Sequence, residues 1–188
     1  MTLILAFDTS AAHCAAVLLR DDAIAAIDVR PMTTGQAEAL LPLLADTLAA
    51  GGATFADLDA IAVGTGPGNF TGVRISVSAA RGLALALGRP AIGVTTFEAL
   101  AHDLPRPVTV AIPAPRGQVH RQTFATEGPE PPDTAPGEAA PLDPAAVVTG
   151  IGLIAARRLG TPQPRPAPFY LRGPDAAPPR DPAPVILP

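Results

Sequence analysis

The sequence predicts an α/β fold in which helices pack against a mixed β-sheet. Short apolar runs of strand length alternate with longer segments whose apolar residues recur at helical spacing. The resulting order, β-β-β-α-β-α-β-α, favours a mixed sheet flanked by helices. Prolines also divide the chain, because only four of the 24 precede residue 105. We therefore predict a regular α/β lobe over residues 1–104 and a shortened, proline-rich second lobe over residues 105–188.

Three strands and a helix are predicted at the start of the chain. The acidic pair Asp21-Asp22 favours a tight hairpin turn between the second and third apolar runs. Apolar residues then fall on one face of a helix that Gly51-Gly52 would end. The strands are predicted over 3–8, 15–19 and 23–29, and the helix over 36–50.

A glycine-rich connection leads from the next strand into a second helix. This helix is long and largely apolar, and Gly88 followed by Pro90 would stop it. A further strand and a short helix complete the predicted first lobe. These elements are predicted over 60–64, 71–87, 91–94 and 96–102.

Beyond residue 105 the patterns are weaker. Two runs favour strands, and a stretch rich in proline, glycine and acid then indicates a loop or disordered connector. One more strand with a turn of helix is expected, and the last 28 residues, with ten prolines, are not expected to form a core. The two strands are predicted over 108–112 and 118–125, the connector over 127–144 and the last strand over 147–156.

Composition excludes several functional classes. The net charge of −4 gives no basic surface for autonomous nucleic-acid binding, and all 13 basic residues are Arg. No apolar run approaches the ~20 residues needed to cross a membrane, and no leader-like stretch opens the chain. Cys14 is the single cysteine, which rules out an internal disulfide and predicts a cytoplasmic location. The three histidines lack zinc-ligand spacing, so no metal is predicted.

The stretch GTGPGNFTGVR over residues 64–74 is the least ordinary part of the sequence. Glycine-rich turns between a strand and a helix often hold phosphate. This one lacks the Gly-Lys-Ser/Thr of a Walker loop and the third glycine of a dinucleotide fingerprint. A strand-to-helix turn capped by Asn69 or Thr71 is therefore favoured over an anion-binding nest. The turn residues are Gly64, Gly66, Pro67, Gly68, Asn69, Thr71 and Arg74.

Small residues recur at every fourth position of the second predicted helix. Such a stripe lets another backbone approach closely, and i±4 ridges are the commonest packing surface of helices. Close packing on the chain's own sheet and use by a partner protein are both compatible with this pattern. The stripe consists of Gly72, Ser76, Ala80, Ala84 and Gly88.

Asp8, Thr9 and Ser10 end the first predicted strand, directly before the hairpin. This placement is typical of the first phosphate-binding loop of actin-like ATPases, where the carboxylate handles Mg²⁺ or its water. A local turn held by side-chain hydrogen bonds is the alternative. Because no second phosphate loop or adenosine pocket is recognisable after Pro105, the sequence predicts only half of such a site.

Five segments together resemble the TsaB (YeaZ) family, the dimerization subunit of the bacterial tRNA threonylcarbamoyladenosine system. They occur in the family's order over residues 3–102, and GPGxFTGxR is a specific signature. A weaker similarity continues over 111–120 and 169–172, although the region 150–169 is predicted to lack a helix that the family carries. The segments are FDTS, CAAVLL, GQAEALLPLL, GTGPGNFTGVRISVSAARGLALAL and AIGVTTFEALA.

The resemblance implies an actin-like, ribonuclease-H-like fold and a non-catalytic subunit. In the family, TsaB pairs with TsaD, which transfers a threonylcarbamoyl group to the adenosine beside the anticodon, and the ATPase TsaE joins them. For this chain it implies a vestigial phosphate loop and no cofactor of its own, with ATP or ADP only at the complex interface. It also implies a homodimer through the same surface, tRNA contact only through the complex, and no membrane. The implied partner surface consists of Leu40, Leu41, Leu44, Leu48, Phe70, Gly72, Val73, Ser76, Val77, Ala80 and Ala84.

Two other functions stay open at this point. One is a nucleotide-using phosphotransferase of the actin-like superfamily, which would bind ATP with Mg²⁺ at Asp8. The other is a homodimeric scaffold without a tRNA role, which would not bind TsaD. Binding of ATP with Mg²⁺ at Asp8 would favour the phosphotransferase, and homodimers that do not bind TsaD would favour the scaffold.

Overall fold

The computed structural model describes residues 1–171 and arranges them around two β-sheets. Arg172, at the end of the family-like segment 169–172, and the rest of the proline-rich terminus lie outside the described residues. The strands are β1 Leu3–Asp8, β2 His13–Arg20, β3 Ala23–Pro31, β4 Ala60–Gly64, β5 Ala91–Val94, β6 Val108–Ala114, β7 Gln118–Ala125, β8 Gly128–Pro129 and β9 Asp133–Pro136. The helices are α1 Gln36–Ala50, α2 Phe70–Leu87, α3 Thr96–Ala101 and α4 Pro144–Arg158, and a 3₁₀ turn spans Phe55–Asp57.

The first sheet is mixed, as predicted, with the strand order β3-β2-β1-β4-β5. β1 pairs antiparallel with β2 and parallel with β4, and β4 pairs parallel with β5. Because β1 and β4 run in the same direction with Phe7 opposite Val63, the turns that follow them leave the sheet side by side. This topology brings Asp8 and the glycine-rich turn to one edge of the sheet.

Helices cover both faces of this sheet. Leu5 and Phe7 of β1 point toward α1 and α2, whereas Ile4 and Ala6 point toward α3 and α4. Strands that are buried on both faces read as continuous apolar runs. Two separate cores result, one on each side of the sheet, and the strand that carries Asp8 lies between them.

The structure corrects the prediction for the region 147–156. That stretch lies in the helix α4, where Asp143 caps the first turn and Pro144 occupies its first residue. α4 also extends into the region 150–169 as far as Arg158, and the predicted loss of a family helix from that region stays a prediction. Adjacent β-branched residues at Val147 and Val148 favoured a strand, but both are buried against the first sheet by helical packing. The predicted connector 127–144 likewise contains the short strands β8 and β9.

The second sheet packs on the first lobe through α3. β7 pairs with β6 on one side and with β8 and β9 on the other, and the predicted strands 108–112 and 118–125 lie within β6 and β7. Phe97 and Ala101 of α3 contact Val110, Ile112 and Phe124 of this sheet. The helix α4, which follows residue 104, packs on the first sheet. The division of the chain into two lobes near residue 104 stays a prediction.

α2 is the one helix among residues 1–171 whose length and composition would also fit a membrane span. In the structure, its apolar side chains pack against the first sheet and α1. Arg74 and Arg81 interrupt its other side. The apolar character of α2 therefore serves the protein core, and its buried residues are Gly72, Val73, Ser76, Val77 and Ala80.

Candidate partner-binding surface

The glycine-rich turn after β4 packs directly against the turn after β1. The Asn69 amide donates to the Ser10 carbonyl at 2.5 Å, and the Thr9 hydroxyl donates to the Gly72 carbonyl at 2.7 Å. A Cβ at Gly68 would come within 3.0 Å of Ser10, and a Cβ at Gly72 would come within 3.0 Å of the Thr9 carbonyl. The glycines are required because two backbones touch there.

The same turn starts α2, and three of the amides there bond within the protein. The Asn69 side chain accepts the Gly72 amide at 2.9 Å, and the Asn69 carbonyl accepts the Val73 amide at 2.9 Å. Asn69 is therefore the N-cap, one of the two predicted caps. An anion nest needs several amides that point outward, and the amides of Asn69, Gly72 and Val73 are already bonded within the protein. The geometry favours a structural turn.

Asp8 is fully buried and holds the hairpin turn together. Its Oδ2 accepts the Ser10 amide at 3.0 Å and the Ser10 hydroxyl at 2.8 Å, and His13 Nε2 lies 2.9 Å away. Its Oδ1 faces Gly64 and has no hydrogen-bond partner among the described residues. Three donors therefore converge on one carboxylate oxygen. This arrangement favours the alternative that Asp8, Thr9 and Ser10 form a local turn held by side-chain hydrogen bonds.

A cavity of about 660 Å³ lies next to this turn, for which the sequence left a phosphate-binding role open. Ser10, His13 and Asn69 line it on one side, and Ile112 and His120 line it on the other. No Arg side chain lines it within residues 1–171, and no group of three His, Cys, Asp or Glu side chains is placed there to hold a metal. The described lining of this cavity therefore supplies no guanidinium group to pair with a phosphate.

Cys14 lies in the core beneath α1. Burial, together with the nearby Asp8 carboxylate, raises the pKa of the Cys14 thiol to about 11. The thiolate is the reactive form of cysteine. Cys14 is consequently protonated at neutral pH, and this side of the sheet carries no nucleophile at that position.

The outer side of α1 and α2 carries a shallow groove of about 410 Å³. Leu41 is 52% exposed at its edge, and Ile75 is half-buried inside it. Phe70 is 38% exposed at the start of α2. Exposed apolar side chains that lie together are typical of protein interfaces. The groove is lined by Ala37, Leu40, Leu41, Thr71, Arg74, Ile75, Ser78 and Ala79.

Most residues of the predicted partner surface are buried in the structure. The first three residues of the stripe, Gly72, Ser76 and Ala80, face the chain's own sheet, and a Cβ at Gly72 would meet the Thr9 carbonyl. Leu41 and Phe70 remain exposed and Ala84 is partly exposed, whereas Leu40 reaches only the floor of the groove. Eight of the predicted residues are buried in the structure, and their contact with a partner stays a prediction: Leu40, Leu44, Leu48, Gly72, Val73, Ser76, Val77 and Ala80.

Tyr170 extends this outer surface and was missed by sequence reasoning. The Arg74 guanidinium lies 3.5 Å from the Phe70 ring centroid, and its Nε donates to the Tyr170 hydroxyl at 2.8 Å. The Phe169 amide donates to the Thr65 carbonyl at 2.8 Å, which anchors the segment that carries Tyr170. The family-like match over 169–172 was the available signal, but it gave no position in the fold.

Comparison with known proteins agrees with the motifs and the fold. The family model described as "TsaD: tRNA N6-adenosine threonylcarbamoyltransferase" matches residues 30–142. The chain belongs to the TsaD family. Within this family it is similar to TsaB of Escherichia coli, with 38% identity over 123 residues, covering 62% of this chain and 52% of that protein. The chain thus spans about half the length of the curated TsaB relatives it matches.

Other relatives and solved structures match nearly the whole chain. An uncharacterised protein of Mycobacterium tuberculosis is 30% identical over 206 residues, which covers 95% of each chain. The structure of YeaZ from Pseudomonas aeruginosa superposes with a TM-score of 0.71 at 26% identity, covering 91% of this chain and 100% of that one. These similarities confirm the TsaB (YeaZ) resemblance and the predicted fold class.

Proposed function

We propose that this chain is the accessory, non-catalytic subunit of a complex that forms threonylcarbamoyladenosine in tRNA. In this proposal it binds a TsaD-like catalytic subunit through the outer groove between α1 and α2. The observation that carries the proposal is the exposed apolar set at this groove, with Leu41 and Phe70 outside a completed core. The similarity to E. coli TsaB, a tRNA threonylcarbamoyladenosine biosynthesis protein, supports a role in forming this modified nucleoside.

The non-catalytic part of the proposal rests on the Asp8 turn. Asp8 is buried, its Oδ2 is occupied by Ser10 and His13, and the adjacent cavity lacks Arg side chains in the described part of the chain. A phosphotransferase needs cationic groups on the transferring phosphoryl. The chain would therefore bring no cofactor of its own, and ATP or ADP would bind where it meets the catalytic subunit.

The remaining partners follow from the same assignment. A TsaE-like ATPase would join the complex, tRNA would be contacted through the complex, and the chain would act in the cytoplasm. A homodimer would use the α1–α2 groove when the catalytic subunit is absent, because both partners would cover the same exposed apolar side chains. The two assemblies would then exclude each other.

Reconstitution tests this function. Purified TsaD and TsaE from the same genome are incubated with tRNA, ATP and an activated threonylcarbamoyl donor, with or without the chain, and the modified nucleoside is measured by mass spectrometry. We expect modification to depend on the chain and to survive Asp8→Asn once that variant is shown to be folded. A folded Asp8→Asn variant that binds TsaD but supports no modification would assign chemistry to Asp8 and contradict the proposal.

A further inference from the structure

A second groove, of about 540 Å³, lies at the C-terminal end of α2. It runs between α2 and the segment that follows α4, away from the groove between α1 and α2. Four arginines line it, and no acidic side chain does so within residues 1–171. The chain as a whole has a net charge of −4, so this concentration of positive charge is local. We call it the arginine groove, and its arginines are Arg81, Arg89, Arg158 and Arg165.

Among residues 1–171, only one of these four charges is compensated by an ion pair. Arg158 forms an ion pair with Glu98 and donates to the Gly93 carbonyl at 3.1 Å. Arg81, Arg89 and Arg165 are exposed, and their guanidinium groups form no hydrogen bond or ion pair with another described residue. Helix C-termini favour cations, but each supplies only about half a negative charge. The ends of α2 and α4 therefore leave positive charge in excess.

The arginine groove also has an apolar interior. Leu85 projects from α2 with 82% of its surface exposed, and Pro90, Leu159 and Pro166 line the groove beside it. Gly82 lies in the same wall, and a Cβ there would meet nothing within 4 Å. A glycine inside a helix is destabilising and needs a compensating reason, and the chain's own packing supplies none at Gly82. A side chain of another molecule that lies directly over Gly82 would supply such a reason.

We propose that the arginine groove binds an acidic segment of a partner protein that carries an aliphatic side chain. The aliphatic side chain would contact Leu85 over the gap left by Gly82, and carboxylates on either side would pair with Arg81 and Arg89. An apolar centre with a charged rim is the usual anatomy of a protein interface. RNA fits less well, because no aromatic side chain lines the groove for base stacking.

Fluorescence anisotropy with a labelled peptide, Glu-Glu-Leu-Glu-Glu-Leu-Glu-Glu, tests this inference on the full chain. We expect saturable binding that the double variant Arg81→Glu/Arg89→Glu weakens by at least about tenfold. Arg116→Glu is the single-charge control, since Arg116 is exposed in the β6–β7 turn with no described partner. It should leave the affinity within about twofold. Circular dichroism should show unchanged folding for all variants, because the substituted side chains are exposed.

A second pair of measurements tests the aliphatic contact. A peptide with serine in place of leucine should bind at least about fivefold more weakly, and Gly82→Val should weaken the leucine peptide while the chain stays folded. The inference is overturned if the wild type does not bind the leucine peptide up to about 1 mM, or if Arg116→Glu reduces binding as much as the groove variant. It is also overturned if an oligouridine binds in place of the peptide, or if Arg81→Glu dissociates a homodimer in sedimentation.

Discussion

The two faces of α2 carry different side chains for different reasons. The inner face carries Gly72, Ser76 and Ala80, which are buried where the helix crosses the turn after β1. The outer face carries Phe70 and Arg74, which are exposed and contact each other. A regular stripe of small residues would suit an interface between proteins, yet here it serves the fold. The less regular outer face is the one that remains for a partner.

The largest expected change in stability comes from placing a charge on the inner face of α2, and the same charge on the outer face is its control. Ala80→Glu places an unpaired carboxylate in the core and should lower the free energy of unfolding by several kcal/mol. Ser78→Glu on the exposed outer face should change it by less than about 0.5 kcal/mol. Urea denaturation followed by circular dichroism measures both. Equal destabilisation by the two variants would show that the faces do not differ in this way.

Two glycines of the same helix provide a finer comparison. Gly72→Ala would push a Cβ against the Thr9 carbonyl and should destabilise the fold by about 2 kcal/mol. Gly82→Ala meets open space and should stabilise the helix by up to about 1 kcal/mol. Thermal unfolding should therefore move in opposite directions. A stable Gly72→Ala variant would contradict the close packing of the two turns.

Cys14 tests whether the core beneath α1 stays dry. Its folded-state pKa is raised to about 11, from an ordinary value of 9.0. Between these values the unfolded chain loses the thiol proton while the folded chain keeps it, so stability falls as pH rises. The slope should approach about 1.4 kcal/mol per pH unit in that window. Cys14→Ala should flatten the dependence of the unfolding free energy on pH in this window. An equally steep dependence in the variant would show that the Cys14 thiol is not its cause.

The smallest effect is expected at Tyr170 on the outer face. Tyr170→Phe keeps the ring but removes the hydrogen bond from Arg74, so the guanidinium is held less firmly over Phe70. Affinity for TsaD should fall by about threefold, whereas Tyr170→Ala should cost at least about tenfold because it also removes the ring. Calorimetric titration measures both, and an unchanged affinity for Tyr170→Ala would exclude Tyr170 from the surface.

Sequence reasoning recovered the elements with strong periodicity. The helix over 36–50 and the strands over 60–64 and 91–94 have the predicted bounds, because their apolar spacing and flanking glycines agree. α4 was missed, since Val147 and Val148 favour a strand locally and only packing against the first sheet decides otherwise.

The face that α2 presents to a partner was not predictable from spacing. Helical periodicity shows that Gly72, Ser76 and Ala80 share a face, but it does not show what that face contacts. The deciding contact is with Thr9, which is 63 positions from Gly72 in the sequence. Only the parallel pairing of β1 with β4 brings these two turns together.

The most direct test of the account is the affinity of TsaD for two aspartate variants. Leu41→Asp introduces a charge at the outer groove, whereas Ile24→Asp introduces it at a comparably exposed aliphatic residue on β3. Titration of TsaD from the same genome should show at least about a hundredfold loss for Leu41→Asp and little change for Ile24→Asp, with both variants folded. Unchanged binding by Leu41→Asp would contradict the claim that the outer face of α1 and α2 holds the partner.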